Sequence, residues 1–187
     1  MSGHKAADSL EVAVRRVRYA VATSLDGYIA GPNGEYDWIV MPRDAQAFFQ
    51  AFYSQFDTAV MGRRSFEVSG QIQGLRTFVV SRTLPPGPYR GATVLGADAL
   101  ERVAALKAEE GKDIWLYGGG TLFGSLASAG LVDTAELCIV PVLLGGGVPV
   151  ISGIGGRVWL ETVSSERTPE GLLFVNYVVK PLAAPSW

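Results

Sequence analysis

The sequence predicts one α/β domain with a mainly parallel central sheet and a C-terminal antiparallel hairpin. Three observations predict it. Apolar runs of strand length alternate with stretches whose apolar residues fall at helical spacing, the order of a parallel sheet crossed by helices. Asp113-Ile114-Trp115-Leu116-Tyr117-Gly118-Gly119-Gly120-Thr121-Leu122-Phe123 reads as a buried strand, a three-glycine turn and the first turn of a helix. The last two strand patterns, Trp159 to Arg167 and Leu172 to Lys180, are joined by Thr168-Pro169-Glu170-Gly171 alone, as in a hairpin. At 187 residues with 48% apolar content the chain is long enough to bury a full core in one domain. Residues 1–14 read as a loose extension, 15–181 as the domain and 182–187 as a tail.

Taken in order, Arg15 to Ser24 is strand one, with Val17, Tyr19 and Val21 alternating, and Asp26-Gly27 is a hairpin-type turn. Gly31-Pro32-Asn33-Gly34 is loop composition, and the loop runs on through Tyr36 and Trp38 to Met41. Such a loop either closes over a planar ligand or packs its rings on the core edge. Pro42-Arg43-Asp44 starts a helix to about Phe56, with Ala45, Phe48, Phe49, Phe52 and Phe56 as its buried stripe. Asp57 to Met61 is strand two, Gly62-Arg63-Arg64-Ser65-Phe66 opens a helix, and Arg76 to Val80 is strand three. Leu84-Pro85-Pro86-Gly87-Pro88 reads as a turn-rich connection, Ala92 to Leu95 as a short strand. Ala97 to Glu110 is a helix with Leu100, Val103, Ala104 and Leu106 inward, ended by Gly111. After the glycine turn, Thr134 to Leu144 is a long apolar strand interrupted by Pro141, and Gly145-Gly146-Gly147 is a strand-end loop with no helix pattern behind it.

Composition removes several function classes. A net charge of −2 and a pI near 5.4 leave no electrostatic footprint for nucleic acid. The apolar runs are strand-length, so no membrane span is expected. Residues Met1 to Ala13 are mixed and polar rather than a signal peptide, and the lone Cys138 has no internal disulfide partner, which together fit a reducing cytoplasm. The single histidine, His4, lies in the extension, which argues against a histidine triad, a histidine acid or base, and a zinc site. Chemistry here rests on carboxylates, positive charges, backbone dipoles or a bound cofactor.

Three strand ends share one theme. Gly118-Gly119-Gly120-Thr121 can take positive φ, lets a ligand approach the backbone and precedes a helix start that suits a phosphate. Gly62-Arg63-Arg64-Ser65 and Ser81-Arg82 each put hydroxyls and positive charge after an apolar strand. Open α/β sheets bind ligands outside the carboxyl ends of their strands, so the three segments are expected to converge on one ligand carrying several phosphates. The alternative is a tight turn and ordinary solvated arginines.

Ser24-Leu25-Asp26-Gly27-Tyr28-Ile29-Ala30, Met61-Gly62-Arg63-Arg64-Ser65-Phe66, Val80-Ser81-Arg82 and Tyr117-Gly118-Gly119-Gly120-Thr121 resemble the dihydrofolate reductase superfamily. Pro141-Val142-Leu143-Leu144-Gly145-Gly146-Gly147 resembles its branch containing the reductase domain of bacterial riboflavin biosynthesis, and the likeness runs from about Tyr19 to Lys180. The resemblance implies a mixed, twisted sheet flanked by helices and an NADPH-dependent reductase of a small heterocycle, pteridine- or ribosylaminouracil-like. It implies that Ala22 and Ile29 hold the nicotinamide amide through their backbones, that Gly62, Arg63, Arg64 and Ser65 with Gly118, Gly119, Gly120, Thr121 and Leu122 hold the pyrophosphate, and that Arg63, Ser81 and Arg82 surround the phosphate on the adenosine ribose. Asp44 and Phe48 resemble the Asp-x-x-x-Phe of the folate site, with Trp38 also set toward the substrate.

Reducing a C=N or C=O bond needs a proton beside the hydride. Asp44, or water it orders, is the candidate source, with a helix N-cap as its structural alternative. A nucleotide-binding module that holds NADPH without turnover would carry the same cofactor segments. The long apolar strand Thr134 to Leu144 further suggests a homodimer.

Overall fold

The computed structural model describes residues 14–40 and 45–180. Its elements, in chain order, are β1 (Val17–Ser24), β2 (Tyr28–Ala30), α1 (Ala45–Tyr53), β3 (Phe56–Gly62), α2 (Arg63–Ser69), β4 (Arg76–Val80), β5 (Gly87–Tyr89), β6 (Ala92–Leu95), α3 (Ala99–Ala108), β7 (Asp113–Leu116), α4 (Gly120–Ser128), β8 (Thr134–Val140), β9 (Val148–Pro149), β10 (Leu160–Arg167) and β11 (Leu173–Val179). Nine strands form one sheet in the order β10-β11-β8-β1-β7-β3-β4-β6-β5, and β2 pairs with β9 in a small second sheet. Five of the eight neighbouring pairs are parallel: β8-β1, β1-β7, β7-β3, β3-β4 and β4-β6. The expected mainly parallel sheet with its closing antiparallel hairpin, β10-β11, is present.

Alternation along the central strands sorts side chains into two cores. Ile114, Leu116, Val17, Tyr19 and Val60 face α3 and α4, packing with Val103, Leu106, Phe123 and Leu126. Trp115, Ala20, Ala59, Met61 and Val79 face the other way, with Phe56 and Phe66. The sheet is therefore covered on both faces, as its continuous apolar strands require.

Several elements depart from the sequence expectations. The helix expected to reach Phe56 ends at Tyr53, and Phe56 opens β3, opposite Asp113, with the Arg18 guanidinium 4.7 Å from its ring centroid. The proposed aromatic stripe of α1 is only partly buried: Phe52 packs edge-on to Trp115 at 5.2 Å, while Phe48 is 41% exposed and meets Phe174 at 5.3 Å. In α3 the inward set is Ala99, Val103 and Leu106, while Leu100 and Ala104 are exposed, so the buried stripe is narrower than expected and centred on Val103. Gly87–Tyr89, expected as part of a connection, is an edge strand antiparallel to β6, where Pro88 costs no central ladder bond. The long apolar strand stops at Val140, before Pro141.

The amino ends of the strands hold two buried arginines. Arg15 donates to Asp57, to Thr58 Oγ1 at 2.7 Å and to the Lys112 carbonyl at 2.5 Å. Arg18 forks onto both oxygens of Glu136 at 2.6 and 2.7 Å, and its charged form is favoured by Glu136 and Asp113 more than burial disfavours it. These pairs fasten the edge opposite the candidate site. Shallow depressions of about 450 and 470 Å3 also lie on that amino edge, around Arg76 and Thr93 and around Arg15 and Lys112.

Candidate functional site

Parallel pairing puts the carboxyl ends of β8, β1, β7, β3, β4 and β6 on one edge. The three segments singled out from the sequence leave β7, β3 and β4, which are immediate neighbours, so they meet side by side. Gly118 and Gly119 take φ of 112° and 93°, conformations an L side chain resists. A Cβ on Gly118 would meet nothing within 4 Å, so the turn opens onto free space. A Cβ on Gly119 would lie 4.0 Å from Ser65 Oγ, which places the glycine turn against the start of α2. Tyr117 extends the same junction, its hydroxyl 2.8 Å from Ser69 Oγ. Gly119 caps α4, whose first N–H groups have no intrahelical acceptor.

Gly120 and Gly124 answer a different need. A Cβ on Gly120 would come within 2.4 Å of the Pro149 carbonyl oxygen, and one on Gly124 within 2.0 Å of the Ser152 carbonyl oxygen. Gly120 C=O accepts the Ser152 N–H at 3.2 Å, and the Thr121 and Ser152 hydroxyls lie 3.0 Å apart. Absence of a side chain at Gly120 is thus explained by packing, while its N–H stays at the helix start. Leu122, half-buried, packs back on the core.

The positive groups differ in freedom. Arg63 is bonded to Glu67 at 2.6 Å, one helical turn on. Arg64 and Arg82 are exposed and have no ion pair among the described residues. Ser81 is buried, and its hydroxyl accepts the N–H groups of Thr83 at 3.1 Å and Leu84 at 2.9 Å, shaping the turn that presents Arg82.

On the other side of the glycine turn, β1 and β7 part. Their ladder ends at Tyr19 and Leu116, while β1 continues to Ser24 beside β8 alone. Arg16 C=O accepts from Ile114 of β7, and the strand period of two turns the main-chain groups of Ala22 toward the same side, beyond the last β7 partner. Nearby, Tyr28 pairs with Pro149 and Ala30 with Val148, so Ile29 is the extra residue of a bulge. Ala22 keeps its β8 partner Cys138 but has no β7 partner on its other side, and Ile29 sits at the bulge, so both backbones expected to hold an amide lie where a ladder is interrupted.

Asp26, expected as a simple turn residue, is a clamp. Its carboxylate accepts from Ser24 Oγ at 2.6 Å, Leu144 N–H at 3.1 Å and Gly145 N–H at 2.7 Å. The Ser24 hydroxyl is the largest cause holding that carboxyl below its usual range. With Leu25 N–H on Val142 C=O and Val150 N–H on Gly27 C=O, it ties the Ile29 segment to the second glycine loop.

Of the substrate-side residues, Trp38 is half-buried with its indole N–H on Glu35 C=O at 3.3 Å, and Phe48 lies on α1 against Phe174. No ring contact joins Trp38 to Phe48 among the described residues. Asp44, the candidate proton source, lies outside the described residues. The Cys138 thiol, pushed up to about 11 by burial, supplies no nucleophile at neutral pH. No group of metal-ligating side chains occurs among the described residues, and no helix there is long and apolar enough to cross a membrane.

Comparison with known proteins agrees with this geometry. A model of the RibD C-terminal domain matches residues 15–72 and 70–174. The Bacillus subtilis protein YyaP is 35% identical over 180 residues, covering 87% of this chain and 94% of its own. A crystal structure of a Shewanella protein provisionally described as a riboflavin biosynthesis protein superposes with a TM-score of 0.76 at 26% identity, over 89% of this chain and 99% of that one. Dihydrofolate reductase from Enterococcus faecalis, complexed with NADP(H), shares the fold with a TM-score of 0.67 at 20% identity, over 89% and 97% of the two chains.

Proposed function

The chain belongs to the RibD C-terminal domain family, and from that premise we propose that it is an NADPH-dependent reductase. Its substrate on this reading is a small heterocycle of ribosylaminouracil or pteridine type. The observation that carries the reading is the meeting of Gly118–Leu122, Gly62–Ser65 and Ser81–Arg82 on three adjacent strand ends. An open glycine turn, a helix start and two arginines with no ion pair among the described residues suit a dinucleotide with several phosphates. The NADP(H) complex of the Enterococcus fold relative supports the same cofactor.

When bound, NADPH supplies the hydride. Gly118, Gly119, Gly120, Thr121 and Leu122 would offer N–H groups to the pyrophosphate together with Gly62, Arg63, Arg64 and Ser65. Ser81 and Arg82 would set the adenosine-ribose phosphate, with Arg63 exchanging its Glu67 partner for it. The main chain of Ala22, on the side that β7 leaves, and that of Ile29 at the bulge would orient the nicotinamide amide. Asp44, or water it orders, is the proposed proton source, and Trp38 and Phe48 the proposed apolar walls over the substrate. The reading places the chain in a reducing cytoplasm and makes it a homodimer. β8 lies inside the sheet, but half-exposed Cys138 of β8 and Val178 of β11 share one sheet face and leave surface for a second copy. A monomeric mass at micromolar concentration would remove the dimer.

The test is NADPH oxidation with ribosylaminouracil phosphate, dihydropterins, dihydrofolate and simple quinones or aldehydes. Turnover of a ribosylaminouracil or pterin substrate supports the proposal. Dihydrofolate turnover alone would assign the chain to folate reduction. Tight NADPH binding with no turnover would leave a binding module.

A further inference from the structure

The β1–β7 ladder ends one step earlier than its register requires. It pairs Val17 with Ile114, Arg18 with Trp115 and Tyr19 with Leu116. Ile114 N–H donates to Arg16 C=O at 2.8 Å. Donors in a parallel ladder recur at every second residue, so this register would bring Gly118 N–H onto Ala20 C=O. That carbonyl accepts from a side chain instead. The indole N–H of Trp115, a residue only 7% exposed, donates to Ala20 C=O at 3.1 Å. Gly118 turns away with φ of 112°, and among the described residues its N–H has no backbone acceptor.

We propose that Trp115 is a positioning residue for the cofactor: its indole replaces Gly118 on the Ala20 carbonyl, parts β1 from β7, and frees the Gly118 N–H and the Ala22 main chain to face the ligand. The proposal rests on the NADPH reading above. The indole is held for this by Phe52 at 5.2 Å, Tyr53 at 5.4 Å, Phe56 at 5.8 Å and Tyr117 at 4.7 Å between ring centroids. Those contacts need only an aromatic ring. Only the N–H reaches the Ala20 carbonyl, and phenylalanine lacks it.

Two measurements decide it. In the free protein, amide exchange followed by NMR should show a protected Trp115 indole N–H and an unprotected Gly118 N–H. In Trp115→Phe the Gly118 N–H should move onto the vacated carbonyl and become protected by about tenfold or more. Calorimetry should show NADPH binding weakened by about tenfold or more in Trp115→Phe. Val103→Ala, which destabilises the opposite core without touching this edge, should hold its affinity within about twofold. A Gly118 amide already protected in the wild type, or unchanged NADPH affinity in Trp115→Phe, overturns the proposal. Should Trp115→Phe not fold, wild-type exchange still decides whether the indole ends the ladder. If the wild type binds no NADPH, the cofactor reading falls and takes the positioning role with it, while the exchange data still settle the ladder.

Discussion

Arg82 stands exposed, with no ion pair among the described residues, on a turn fixed by the buried Ser81 hydroxyl, whereas Arg63 is bonded to Glu67. The two arginines are alike in sequence and unlike in cost of use. A charge-assisted bond from either to the extra phosphate of NADPH is worth about 1.5–3 kcal/mol, but Arg63 must first give up its helical partner. Arg82→Ala should therefore weaken NADPH by about tenfold or more and spare NADH, with a smaller loss in Arg63→Ala. Equal losses for both cofactors in Arg82→Ala would show that it does not read that phosphate. Asp44 gives the second residue-scale prediction. Asp44→Asn retains capping ability but loses the titrating group, so single-turnover NADPH oxidation should slow by about 10²–10⁴-fold with Tm nearly unchanged. Indistinguishable pH profiles would leave Asp44 as a cap. Residue types and spacing single out the arginines at the strand ends, while Asp44 and the roles proposed for all three residues come from the family resemblance. The role of Asp26 was not legible, because its three donors come from Ser24 and from Leu144 and Gly145, over a hundred residues away in the chain.

At the scale of elements, the strand ends and the glycine turn followed from local pattern, since strand, turn and helix signals all sit within a few residues of one another. What did not follow was each element's contact with distant chain. Phe56 suits a helix stripe by spacing, yet pairing with Asp113 and the stack of Arg18 draws it into β3. Gly120 looks like part of an anion cradle and Gly124 like an ordinary helix residue, but the Cα faces of both are pressed on the backbone of residues 149–154. That contact is tight enough to test. Gly124→Ala would set a methyl 2.0 Å from the Ser152 carbonyl oxygen, and backbone rather than a flexible side chain has to yield. Overpacking of this kind costs about 1–3 kcal/mol, so chemical denaturation should show a loss in that range. Because Ser152 N–H also bonds Gly120, NADPH affinity should fall with it. Unchanged stability would mean that the segment after β9 gives way freely and does not brace α4.

Over the whole molecule, carboxylates fasten both edges of the sheet. At the carboxyl edge Asp26 ties the turn after β1 to the loop after β8, and hydrogen bonds from Ser24 first, then Gly145 and Leu144, lower its pKa. At the amino edge burial pushes Asp113 up, but bonds from Arg16 and Arg18 outweigh it and the net direction is down. A carboxyl whose folded pKa lies below its unfolded value, near about 3.9 for aspartate, contributes stability that is present above that value. The contribution is lost as pH falls through the folded pKa, when the native state must take up the proton. The Tm of the wild type should therefore be level with respect to these two groups from about pH 6 to pH 5 and decline below about pH 4. Asp26→Asn and Asp113→Asn should each melt lower than wild type at pH 6. Their curves should approach the wild-type curve in the acid range, where the carboxylates they lack are neutral in every variant. The two sites lie on opposite edges and share no partner, so their losses at pH 6 should add in the double variant. Thermal melts across pH check this directly: curves that stay parallel down to about pH 2.5 would show that these carboxylates do not carry the acid sensitivity.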